Sequence, residues 1–79
     1  MTLQKATKTI CERYLVSEDA VKRVFRRFRE QYKFSAGEVY YMLEFSLREL
    51  PGISKERFEE IAVKEVRKNF FQEDRKHEL

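Results

Sequence analysis

Ser17-Glu18-Asp19-Ala20-Val21-Lys22-Arg23-Val24-Phe25-Arg26-Arg27-Phe28-Arg29-Glu30-Gln31-Tyr32 is the stretch whose reading decides the fold. Val21, Val24, Phe25, Phe28 and Tyr32 recur three and four residues apart. At about 100° per residue they fall within roughly 100° of one another, which predicts a helix with one apolar face. Strand alternation does not accommodate them. Ser17 stands where the free N–H groups of a first turn need an acceptor.

The same punctuation recurs along the chain. Val16-Ser17 is followed by Val21, Phe34-Ser35 by Val39, and Ile53-Ser54 by Phe58. Each is a serine cap flanked by an apolar pair that can close as a hydrophobic staple, and Glu38 completes a capping box with Ser35. Helices are therefore expected over about 2–15, 17–32, 35–50 and 54–72, with Pro51-Gly52 stopping the third. Their inward stripes are Leu3, Ala6, Ile10, Cys11 and Tyr14, then the Val/Phe set above. The third contributes Val39, Met42, Leu43, Leu47 and Leu50, and the fourth Phe58, Ile61, Ala62, Val66 and Phe70. The expected fold is all-α, a compact four-helix domain over 1–72. Residues 73–79 are expected to form a charged, frayed tail. There is no internal repeat, low-complexity segment or long linker.

Composition agrees with this reading. Of 79 residues, 42% are hydrophobic and 39% charged, with only two glycines and one proline. Such a chain is too poor in turn residues for a sandwich and too apolar for disorder. One core is all that its length allows, and stability is expected to be modest or shared with a partner chain. Cys11 is the only cysteine and His77 the only histidine, so no intrachain disulfide is available and no metal or cofactor is expected. Cys11 is expected to pack as a small apolar group and His77 to be solvated. Met1-Thr2-Leu3-Gln4-Lys5 carries no apolar signal core, and no apolar run approaches the roughly 18 residues of a membrane span. Lys76-His77-Glu78-Leu79 only faintly echoes an ER-retention tail. The expected compartment is cytoplasm or nucleoid. A phosphate-binding glycine loop and a nucleophile motif are both missing, so the expected protein binds rather than catalyses.

Charge is unevenly divided. Residues 1–33 hold nine Lys/Arg against four acids, and residues 34–79 hold eight against ten, so a net +5 faces a net −2. Lys22, Arg23, Arg26, Arg29 and Lys33 lie opposite the Val/Phe stripe, with Arg27 flanking them. Cations on one rigid face suit a phosphate backbone, where counterion release favours binding, and arginine can also pair with guanine edges. The plainer alternative is a solvated helix face that keeps the protein soluble. An RNA duplex could meet the same cations, although no RNA-module motif favours it.

Residues 10–24, from Ile10 through Cys11, Tyr14, Val16 and Ser17 to Val21 and Val24, resemble the helix-turn-helix unit of DNA-binding regulators. Cys11 matches the small residue where the two helices cross. Ile10, Tyr14, Val16, Val21 and Val24 match its apolar positions, and Ser17 its cap. The resemblance implies that Ser17, Glu18, Asp19, Lys22, Arg23 and Arg26 face a DNA groove, and it extends over about residues 6–28. Leu15 stands where that family usually has glycine. A positive φ there costs about 1 kcal/mol, or the turn takes another shape. Glu18 and Asp19 must read a cytosine amino group or support the helix dipole. The family's preceding helix would have to be supplied by residues 35–72 or by a second subunit.

The third helix is apolar around much of its circumference. Tyr41 and Phe45 project roughly opposite its stripe, Tyr40 lies at the stripe's edge, and Phe71 falls off the main face of the fourth helix. These four are the expected partner or dimer interface, since exposed aromatics of this size mark contact surfaces. A central helix surrounded by its neighbours is the alternative. The sequence thus predicts a DNA-binding regulator of transcription or of a mobile element, with a homodimer as a candidate assembly. The second reading is a protein-interaction module, an inhibitor or accessory subunit, docking through these aromatics.

Overall fold

The computed structural model describes residues 1–71. It contains α1 (Leu3–Tyr14), α2 (Glu18–Tyr32), α3 (Ala36–Leu47) and α4 (Phe58–Val66), with a π-helical turn over Arg67–Phe71. No strand occurs among the described residues, so the all-α expectation holds. The expected 73–79 tail, with His77, lies outside the described residues.

Three helix starts are capped. Thr2 accepts from the Lys5 N–H, Ser17 from Ala20, and Ser35 from Glu38, whose carboxylate accepts in turn from the Ser35 N–H. The fourth differs from the serine pattern. The Ser54 hydroxyl donates to Glu56 Oε1 at 2.9 Å, and the Arg57 N–H bonds to the Ser54 carbonyl in a short turn. The helix begins at Phe58 instead, after Arg57, whose side chain makes no cap bond. α3 is also shorter than expected. It ends at Leu47, because Leu50 precedes Pro51 and is driven out of helical geometry. The Leu50 N–H closes a turn onto Leu47 instead.

α1 and α2 are joined by Leu15, Val16 and Ser17. Leu15 adopts the left-handed conformation (φ 55°, ψ 47°), and both its N–H and that of Val16 return to the Cys11 carbonyl. α2 ends in the same way, with Lys33 at φ 62°.

The core gathers Ile10 of α1, Val21, Val24, Phe25 and Phe28 of α2, Val39, Leu43 and Leu47 of α3, and Phe58 and Val66 of α4. α2 and α3 each pack against all three other helices. That surrounding buries Val39, Met42, Leu43 and Leu47 of α3, and Ser46 is buried too and accepts from Asn69 Nδ2, while Tyr41 and Phe45 lie outside it. α1 and α4 each depart from the predicted stripes. Leu3 is 38% exposed, whereas Thr7 is buried. On α4 it is Val63 that is buried, with Ile61 at the margin.

Candidate nucleic-acid interface

The cations of α2 divide into two sets. Lys22, Arg26 and Arg29 repeat at spacings of four and three along the helix, and Lys33, the left-handed residue that ends it, continues the row at the same recess. They border a recess of about 860 Å³ whose other wall is α1, through Leu3, Gln4 and Thr7. Arg23 and Arg27 turn toward α4. Arg23 Nε donates to Glu59 Oε1 at 2.8 Å, and Arg27 borders a second depression shared with Glu56, Glu59 and Glu60. The structure therefore parts Arg23 from the row with which the sequence groups it.

The row is held outward by what lies beneath it. Val21, Val24, Phe25 and Phe28 are at most 1% exposed, which fixes the rotation of α2 about its axis. Lys22 is partly neutralised by Glu18 at 3.1 Å, one turn earlier. Arg26, Arg29 and Lys33 form no ion pair among the described residues. Exposed pairs such as Lys22–Glu18 contribute at most about 1 kcal/mol, so a polyanion can compete for the ammonium. The Ser17 hydroxyl is occupied as the cap. Glu18 and Asp19 occupy the first turn, where a negative charge complements the helix dipole.

The aromatic residues also separate. Phe71 stacks on Tyr32 at 4.6 Å between ring centroids and packs against Phe28 and Phe34, within the chain. Tyr40 is half-buried and donates to Glu44 Oε2 at 2.8 Å. Tyr41 and Phe45 remain on the surface at 61% and 44% exposure, with Phe70 edge-on to both and the Arg48 guanidinium over the Phe45 ring.

Glu44 was not singled out in the sequence, yet it joins α1 to α3. It pairs with Arg13 and accepts from both Tyr14 and Tyr40. Its position four residues after Tyr40 was the available signal. Burial, then the Glu44 charge, raises the Tyr14 phenol above its ordinary value, and the hydrogen bond to Glu44 does the same for Tyr40. Burial, followed by the Glu18 charge, raises the Cys11 thiol, which disfavours a reactive thiolate. Among the described residues no group of three His, Cys, Asp or Glu is placed to hold a metal ion. No described helix is long and apolar enough to cross a membrane. No protein-family model, curated protein or solved structure matches the chain.

Proposed function

We propose that this protein binds duplex DNA through the outer edge of α2, as a small regulator of transcription or of a mobile element. The observation that carries the reading is the row Lys22-Arg26-Arg29-Lys33, exposed along one rigid helix edge and largely without ion-pair partners among the described residues. At 1.5 Å rise per residue the row spans about 16 Å, a length over which duplex DNA carries about ten phosphate charges. The three-residue turn and capped second helix support a helix-turn-helix mode of docking. A second copy would repeat the row on a neighbouring half-site and multiply a weak single contact.

A gel shift with random duplex DNA tests this directly. The double variant Arg26→Ala/Arg29→Ala is expected to weaken binding at least about tenfold. Arg23→Ala, whose guanidinium is already held by Glu59, should change it less than about threefold. If four cations meet phosphates, affinity should fall about a hundredfold between 50 and 200 mM salt. An unshifted duplex at low salt would sink the proposal.

The exposure of Tyr41 and Phe45 favours a second reading, in which α3 docks a protein partner. In a pull-down, Tyr41→Ala/Phe45→Ala should then lose a partner while keeping wild-type helicity. Retention of every partner counts against it.

A further inference from the structure

The recess between α1 and α2 carries more than its cationic edge. Leu3, Phe25 and Phe34 give it an apolar floor, and Leu3 is 38% exposed there. Thr7 also lines it, is only 3% exposed, and keeps a hydroxyl with no hydrogen-bond partner. A duplex backbone can use the cations, yet it brings no apolar group to seat against Leu3 and Phe34. A single anionic headgroup would leave most of a row about 16 Å long without a counter-charge. The combination calls for a ligand with several negative charges along one side and apolar side chains along the other.

We propose that this recess binds an acidic amphipathic helix of a partner protein, about three turns long. Its apolar face would lie on Leu3 and Phe34, and its carboxylates would meet Arg26, Arg29 and Lys33. Glu18 and Glu30 line the same recess, but Glu18 is already engaged by Lys22. The segment shares its cations with the proposed DNA surface and so competes with DNA, although its binding does not require DNA to be a ligand.

The test titrates the full chain, by fluorescence anisotropy, with two labelled sixteen-residue peptides and a labelled random duplex. Both peptides carry glutamates on one helical face; one has leucines on the other face, and the second has serines there. The leucine peptide is expected to bind at least about tenfold tighter than the serine peptide and to be displaced by unlabelled duplex. Leu3→Ser should weaken the leucine peptide at least about threefold, with helicity and duplex binding unchanged. Arg29→Glu should weaken both ligands. Equal affinity for the two peptides, or no effect of Leu3→Ser, overturns the proposal. Leucine-peptide binding with an unbound duplex would sink the DNA reading alone, and the reverse result would sink only this one.

Discussion

Leu15 lies in the left-handed region at φ 55°, where a β-carbon costs roughly 1–2 kcal/mol, and its side chain is 69% exposed. Burial therefore returns little of that cost. Glycine would remove the clash but loses more backbone freedom on folding. Leu15→Gly is expected to stabilise the domain by up to about 1 kcal/mol, raising the midpoint of denaturant unfolding with an unchanged slope. A lowered midpoint would mean that the leucine side chain holds the α1–α2 turn through contacts that outweigh its strain. The sequence offered two outcomes at this position, a strained residue or a different turn. Periodicity could not choose between them, because the deciding term is the pair of N–H groups that Leu15 and Val16 return to Cys11. Thr7 was equally hard to foresee. A polar residue one position after Ala6 is predicted outward by composition, but α1 is rotated so that both are buried.

Between elements, Glu44 is the tie that links α1 to α3. The phenols of Tyr14 and Tyr40 stay neutral beside its carboxylate, and both are harder to ionise in the folded protein than in the unfolded chain. The sign follows from proton binding. The folded state holds these protons more firmly, so stability is complete below the ordinary phenol range and declines as pH rises through it. Thermal melts are expected to lose midpoint above about pH 10, and Tyr40→Phe should make that loss smaller. An unchanged alkaline slope in the variant would remove Tyr40 from the account. Helix identity was the legible part at this scale, since stripes of Val, Phe and Leu at helical spacing fix which faces are buried. Helix ends were legible where a serine hydroxyl had only a backbone N–H group to serve, as at Ser17 and Ser35. At Ser54 the Glu56 carboxylate competes for the hydroxyl, and the same local pattern yields a turn.

Across the described residues as a whole, the basic and acidic parts do not form two separate poles. The acidic start of α4 folds back against α2, so Glu59 takes Arg23 and the basic surface narrows to the edge beside α1. The basic helix was legible from charge counting, but this division was not, because it depends on packing between residues 36 positions apart. The narrowed edge is what makes the different responses of Arg23 and Arg26/Arg29 informative. They separate a surface that acts by total charge from one that acts by position. The aromatics were sorted by the same long-range packing. Phe71 is enclosed by Tyr32 and Phe34, while Tyr41 and Phe45 stay outside.

The π-helical turn at Arg67–Phe71 explains that last division. Its wider winding places Phe71, five residues after Val66, against the α2 aromatics, while Phe70 is carried round toward Tyr41 and Phe45. Two consecutive phenylalanines thereby serve two different surfaces of the protein. The turn works as a vernier: one surplus residue is absorbed there without disturbing the phase of the helix before it. A chain one residue shorter in this segment would rotate Phe70 and Phe71 by about 100°. Phe71 would then take the place of Phe70 beside Tyr41 and Phe45, and Tyr32 would lose its stacking partner, so the aromatic patch on α3 is governed by length in a segment distant from it in sequence.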